Sequence, residues 1–297
     1  MGIEQLKVKL NPDVTPAGSD LSIVNAARRS FNTRSEWDYL DQFGIKFDPD
    51  KHQNYERAYY TYNKLKDKDK RLLEFLARGM TADDFEQFKH DVGTIGLNWL
   101  YYMDNNQEQE LLDKLWQWRN TPTHDTPFNH TFISFEVQAP IFVRAQLVKH
   151  EYLILSEFSR RYITDDIEFY YPDHWRKAAE NKKQGSTNEP VDICDYHGTN
   201  GKNGVDDPYL TSCDIALETF QDLLSKGVAP EQARMVLPQS TMTEWTWSGT
   251  LGAFAKMCTL RLHPEAQYES RIIAQQVYEY LKQYYPVAAP ALVEGVK

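Results

Sequence analysis

The periodicity of the chain changes at Pro140. Before it, Ile133, Phe135 and Val137 alternate with Ser134, Glu136 and Gln138, the period-two signature of a half-buried strand. After it, residues 140–162 read PIFVRAQLVKHEYLILSEFSRRY. Proline fits a first helical position because its missing N–H would have been an orphan donor there. The segment therefore predicts an apolar helix that ends in a polar cluster of Lys149, His150, Glu151, Ser156, Glu157, Ser159, Arg160 and Arg161. A packed helix that delivers cations, carboxylates and hydroxyls into one short stretch is a rigid support for a site. A strand followed by such a helix fits one large α/β unit, and 297 residues suffice to build it.

Charge and cysteine usage narrow the function classes. The formal net charge is −10, which argues against coating a nucleic-acid polymer, although a local arginine cluster can still hold a small anion. Cys194, Cys213 and Cys258 are odd in number and widely spaced, so they give neither a disulfide framework nor a metal set. A reducing cytoplasm is the expected compartment, or the host cytoplasm for a virus-encoded chain. The opening MGIEQLKVKLNPD has no apolar signal core, and no apolar run approaches the roughly 20 residues of a membrane helix.

Along the chain, residues 6–10 alternate as an edge strand. Ser19 or Asp20 caps a short helix that leaves Arg28, Arg29 and Ser30 at its far end. Residues 35–63 read as irregular, and the charge run 64–71 as a solvated helix face leading to Leu72, Leu73 and Leu76. Residues 82–118 read as an inserted helical hairpin. His124 and His130 lie in a polar turn, six apart, which is no usual metal spacing, so no metal is expected. Residues 175–183 read as a helix stopped at Gly185, and residues 188–209 as a long loop. Residues 211–225 are an amphipathic helix with Cys213 and Phe220 on its apolar face, ended by Gly227. Three more helices follow: one opened by Pro230 and closed by Pro238, one over 253–262 with Arg261 at its end, and a long one opened by Pro264.

No glycine-rich phosphate loop, GxSxG, HExxH or CxxC occurs. What remains is a set of arginines near helix ends: Arg160, Arg161, Arg234 and Arg261. Guanidinium forks suit phosphates and the carbonyl edge of a pyrimidine, but cations at helix C-termini also occur for the dipole alone.

The blocks SDLSIVNAARRSF, TPFNHTFISFEVQAPIFV, SEFSRRY, FYYP with HWR, ARMVLP and TLRLHPEAQYE, in that order, resemble the flavin-dependent thymidylate synthase family. The resemblance implies one domain over 1–297, with a central antiparallel-rich sheet flanked by long helices. The 82–118 and 188–209 segments fall outside the match. It implies FAD, NADPH and methylenetetrahydrofolate as carbon donor, dUMP as substrate, dTMP as product, and a homotetramer with shared sites. The family signature, R-H-R followed by S-x-N-E-x-S-x-R-Y, meets KHEYLILSEFSRRY here. His150, Glu157, Ser159, Arg161 and Tyr162 match; Lys149, Glu151, Ile154 and Ser156 replace an arginine, an arginine, a serine and an asparagine, and Arg160 stands where glycine is usual.

By that resemblance Gln146, Glu157, Ser159, Arg161 and Arg234 hold the nucleotide, with Lys149 and Arg160 beside them, and Arg261 polarises the ring. Arg261, Ser159 and Glu157 are the expected catalytic set. Ser30, His130, Lys149 and His150 fall on the flavin side, where Lys256 compensates for Glu151. Glu151, Thr250 and Glu265 depart from the family's flavin-side residues. An anion beside a pyrophosphate is costly in a low-dielectric site. Two alternatives follow: a flavin-poor deoxypyrimidine monophosphate methylase or hydroxymethylase, acting on dUMP or dCMP, and a non-catalytic nucleotide-binding paralogue.

Overall fold

The computed structural model describes residues 2–40, 62–78, 124–159, 161–180, 186–199 and 202–294. The chain divides into two compact units. The first holds Met1–Thr15, Ser134–Ser248 and Leu260–Val277; the second holds Pro16–Ile133, Gly249–Thr259 and Tyr278–Lys297. The expected helical hairpin at 82–118 lies outside the described residues.

The first unit is built on a four-stranded sheet in the order β1 (Lys7–Leu10), β4 (Ile133–Pro140), β10 (Met242–Gly249), β5 (Ile154–Glu157). β1 is the expected edge strand and pairs antiparallel with β4, Val8 opposite Val137. β4 is the expected half-buried strand: Ile133, Phe135, Val137 and Ala139 on one face are inaccessible, Glu136 and Gln138 on the other are half-buried, and Ser134 on that side is inaccessible as well. The Ser134 hydroxyl is satisfied by Asn11 at 3.3 Å and Ser248 at 2.8 Å, which removes the cost of burying it. β10 was not legible as a strand. It alternates Trp245 and Trp247, both buried and packed edge-to-face at 6.4 Å, with Glu244, Thr246 and Ser248.

Residues 140–162 do not form one helix. Pro140 caps a seven-residue helix, α3 (Ile141–Leu147); a turn through Tyr152 at φ 65° reverses the chain; and β5 then pairs antiparallel with β10, Glu157 opposite Trp245. A short apolar run such as Ile154-Leu155 suits either period, and here the free edge of β10 decides it. Of the helix expected over 175–183, the described residues form none: β6 (Trp175–Ala178) pairs with β7 (Ser186–Val191), and 181–183 lie outside the described residues. The expected loop at 188–209 contains the end of β7, the hairpin β8 (Asp195–Thr199) and β9 (Lys202–Asp206), and the first turn of α4 (Pro208–Ser225). Backbone pairing holds these strands, so their polar sequence left no apolar signal. α4 matches its expectation. Asp207 caps it, Cys213 and Phe220 are buried, and Gly227 ends it at φ 82°. α5 (Pro230–Ala233) and a 3-10 turn Arg234–Val236 follow.

In the second unit, α1 (Asp20–Arg28) is closed by a capping box between Ser19 and Ser22. The buried Asp20 carboxylate accepts the backbone N–H groups of Val287 and Ala288 at 2.9 and 3.0 Å, at the start of α8 (Ala288–Val293). β2 (Asp38–Leu40) pairs with β3 (Tyr62–Lys64), so the stretch read as irregular carries a hairpin pairing. α2 (Asp67–Arg78) buries Leu73, Leu76 and Ala77. Its charge run is not wholly solvated. Asp69 is inaccessible, paired with Arg28 at 2.6 Å and hydrogen-bonded by the Ser35 hydroxyl. α6 (Leu251–Arg261) buries its residues Leu251–Ala255. The last long helix, α7 (Tyr268–Tyr284), has its residues through Val277 in the first unit and the rest in the second, and starts one turn later than Pro264 suggested.

Removing one partner of a buried ion pair strands the other charge. Asp69→Ala should therefore destabilise the protein by about 3–5 kcal/mol, read by denaturant unfolding. A change below about 1 kcal/mol would show that the pair behaves as an exposed one.

Candidate functional site

The candidate residues fall into three places. The first is a cavity of about 350 Å³ in the first unit, where β5 ends. Glu157, Ser159, Arg161 and Arg234 all line it, with Thr241 and Thr243 from β10 and the turn before it. Among the described residues of this lining Glu157 is the only carboxylate, and its charge is already answered. One oxygen accepts from Arg144 at 2.7 Å and the other from the Thr243 hydroxyl at 2.7 Å. Ser159 Oγ accepts from the backbone and Nε of Arg161 at 3.3 and 3.2 Å, and the Arg161 guanidinium lies over Tyr162. Arg234 Nε donates to the Glu231 carbonyl at 3.3 Å. Among the described residues neither arginine pairs with a carboxylate, so the cavity presents two guanidinium groups and a hydroxyl to an anion.

The second place is the end of α3 and the end of α6. Arg261 donates Nε to His150 Nε2 at 2.9 Å, Nη2 to the Gln146 carbonyl at 2.8 Å and Nη1 to Gln146 Oε1 at 3.5 Å. Gln146 Oε1 also accepts from Ser270 at 3.2 Å. Burial pulls the His150 imidazole down to about 4, reinforced by the Arg261 charge beside it. His150 is therefore neutral at pH 7, with Nε2 free to accept, and burial also draws Arg261 below its ordinary value. Arg261 is not among the residues lining the 350 Å³ cavity.

The third place lies in the second unit. Ser30 and His130, expected on the flavin side, line one pocket of about 920 Å³ with Arg28, Lys68, Arg71 and the exposed rings Phe31 and Phe75. Lys256 is elsewhere, its ammonium 3.3 Å from Asp125, and Thr250 donates to Asn129 at 2.7 Å. Lys149 is exposed in the turn after α3, and Arg160 lies outside the described residues.

Sequence reasoning passed over Arg144 and Thr243, which hold Glu157. Arg144 is the one charged residue in the apolar run PIFVRAQL, and that isolation was the available signal. The two cysteines in apolar helices are not nucleophiles. Cys213 and Cys258 are buried, and burial pushes both thiols up. Among the described residues no His, Cys, Asp and Glu cluster suits a metal, and no helix is long and apolar enough to cross a membrane.

His150 gives a pH signature. Its folded value lies below the ordinary 6.5, so the unfolded chain takes up the proton first. Its stabilising contribution is complete above 6.5 and is lost as pH falls toward about 4. Wild-type protein should thus lose more stability than His150→Phe across that interval. Parallel pH profiles of unfolding free energy would contradict the assignment.

A family model described as thymidylate synthase complementing protein, Thy1, matches residues 14–287. The flavin-dependent thymidylate synthase of Thermus thermophilus is 35% identical over 188 residues, 63% of this chain and 64% of that protein. That of Thermosipho africanus is 33% identical over 163 residues, 55% of this chain and 68% of the relative. The chain thus spans just under two thirds of the Thermus relative. A crystal structure described as the UMP/dUMP methylase PolB from Streptomyces cacaoi bound with 5-Br dUMP superposes with a TM-score of 0.59 at 22% identity, covering 97% of this chain and 95% of that one. It shares the mixed α/β fold with its antiparallel sheet. With its family match running through both units, from the β1 side of α1 to the end of α7, the chain belongs to the thymidylate synthase complementing protein family.

Proposed function

We propose that the protein is an enzyme of the flavin-dependent thymidylate synthase type, acting in the cytoplasm as a homotetramer. It transfers the one-carbon unit of methylenetetrahydrofolate to carbon 5 of dUMP to give dTMP. The chain is taken as one catalytic domain carrying an insertion at 82–118. The observation that carries this reading is the convergence of Ser159, Arg161 and Arg234 on one cavity whose one carboxylate among the described residues is already ion-paired. Two guanidinium forks and a hydroxyl suit a phosphate monoester.

In this reading Arg161, Arg234 and Ser159 hold the phosphate, and Lys149, Gln146 and Arg160 complete the nucleotide contacts. Glu157 orients the cavity through Arg144 and Thr243. Arg261 supplies preorganised N–H donors to a ring carbonyl, where they stabilise the negative charge that makes the ring electron-rich before carbon 5 reacts. His150 stays neutral and accepts from Arg261, which keeps the guanidinium directed. A flavin fits the pocket around Ser30 and His130. Lys68 and Arg71 supply cations for a pyrophosphate, no carboxylate lines it among the described residues, and Phe31 and Phe75 offer faces for a ring. FAD, when bound, supplies hydride, which NADPH replenishes.

A second reading keeps the nucleotide site and changes the cofactor chemistry, as a flavin-poor deoxypyrimidine monophosphate methylase or hydroxymethylase. It is favoured by Lys256, whose charge is engaged by Asp125 instead of standing in for the cation that Glu151 replaces.

Purified protein incubated with methylenetetrahydrofolate, NADPH and dUMP tritiated at carbon 5 should release tritium and carry flavin absorbance. Release from colourless protein that does not take up FAD would favour the second reading. Tight dUMP binding without release would favour a non-catalytic role. Arg261→Ala should lower kcat far more than it weakens dUMP binding, and equal losses would contradict its role. Arg234→Ala should instead weaken binding by roughly 10–100-fold, the cost of one charge-assisted contact.

A further inference from the structure

Gln146 sits in a hydrogen-bonded chain whose direction is imposed from both ends. At one end the Glu269 carboxylate, 3% exposed, accepts from Arg176 Nη2 at 2.7 Å and from Gln267 Nε2 at 3.0 Å. A carboxylate only accepts, so Gln267 must turn its amide nitrogen toward it. The Gln267 carbonyl oxygen then accepts from Gln146 Nε2. That turns Gln146 Oε1 toward Ser270 and Arg261. At the other end Arg261 only donates, and demands the same orientation. The amide assignments follow from the chemistry of the two termini.

The remaining valences decide what the cluster can read. Both lone pairs of Gln146 Oε1 are used, by Ser270 and Arg261, while one Nε2 hydrogen is left after the bond to Gln267. Arg261 uses one N–H on each of Nε, Nη1 and Nη2, which leaves two. The cluster therefore offers a ligand N–H donors only. Uracil presents a carbonyl oxygen at position 4; cytosine presents an amino group there, which meets these donors with another donor.

We infer that Glu269 is a specificity-determining positioning residue. By fixing the direction of the chain through Gln267 to Gln146, it makes the pyrimidine-reading face donor-only and selects uracil over cytosine. This rests on the nucleotide-binding role proposed for Gln146 and Arg261. Arg176 completes the device. With a glutamine at 269, the Arg176 cation draws the introduced carbonyl oxygen to itself. The introduced NH2 then faces Gln267, so Arg176 and Arg261 impose opposite directions on the chain, one contact in it is left donor to donor, and Gln146 is no longer held in a single orientation.

The test is calorimetric titration of the full chain with dUMP and with dCMP. Wild type should bind dUMP at least about tenfold tighter, the scale of one unpaired polar contact. Glu269→Gln should lose most of that preference, and Arg176→Met combined with Glu269→Gln should restore it, because the introduced oxygen is then free to face Gln267. Glu269→Asp keeps the carboxylate and should keep the preference; it carries the test if Glu269→Gln does not fold. Unchanged preference in folded Glu269→Gln, loss of preference in Glu269→Asp, or an unselective double variant would overturn the inference. Wild type that binds both nucleotides equally overturns the inference alone, whereas wild type that binds neither overturns the proposed function beneath it.

Discussion

Half-burial of Arg261 sets the terms for the residues around it. A guanidinium withdrawn from water needs acceptors in fixed directions, and each missing one would cost a substantial part of a hydrogen bond. The Gln146 backbone carbonyl, the Gln146 amide oxygen and the His150 imidazole nitrogen supply them. The third acceptor exists only while His150 is neutral, and burial together with the Arg261 charge keeps it so. The arrangement is self-consistent: the cation suppresses the proton that would repel it. It also leaves the remaining guanidinium hydrogens directed without any reorganisation, which is what stabilisation of a developing ring charge requires.

The fold delivers these groups by a sequence of short, rigid steps. One face of β4 is wholly buried and the other carries the half-buried Glu136 and Gln138, so its register with β1 admits no one-residue slip. Pro140 ends β4 and caps α3, which carries Arg144 and Gln146 a few residues later. The turn after α3 places His150, and β5 then joins the sheet beside β10 and brings Glu157 opposite Trp245. Thr243, two residues before Trp245 on β10, reaches the Glu157 carboxylate from there. Pairing of β5 with β10 thus assembles the anion cavity, and Ser159 and Arg161 follow directly from the end of β5.

The amphipathic helices were legible because apolar residues recur at helical spacing: α4 with Cys213 and Phe220, and α2 with Leu73 and Leu76. Ser19 could be read as a cap from its chemistry alone. The failures have two causes. β5 and β10 owe their form to a pairing partner distant in sequence, and local pattern does not carry that information; β6, β8 and β9 pair with near neighbours, but their sequences carry no apolar alternation. Trp245 and Trp247 alternate with polar residues, but Thr and Ser around them masked the strand. Asp69 was taken for one of several surface charges because nothing local reveals that Arg28 and Ser35 converge on it. At the site, the ordered blocks picked out Glu157, Ser159, Arg161, Arg234 and Arg261. The groups that orient them, Arg144, Thr243, Gln267 and Glu269, are ordinary polar residues whose role appears only in the hydrogen-bond geometry.

The central claim is that the donor cluster and the anion cavity serve one-carbon transfer to a deoxyuridine monophosphate. Mass spectrometry of the nucleotide recovered after incubation with dUMP, FAD, NADPH and isotopically labelled methylenetetrahydrofolate addresses it most directly. The account predicts dTMP carrying the labelled carbon on its methyl group. Recovery of dUMP alone, from protein shown to bind it, would contradict the claim.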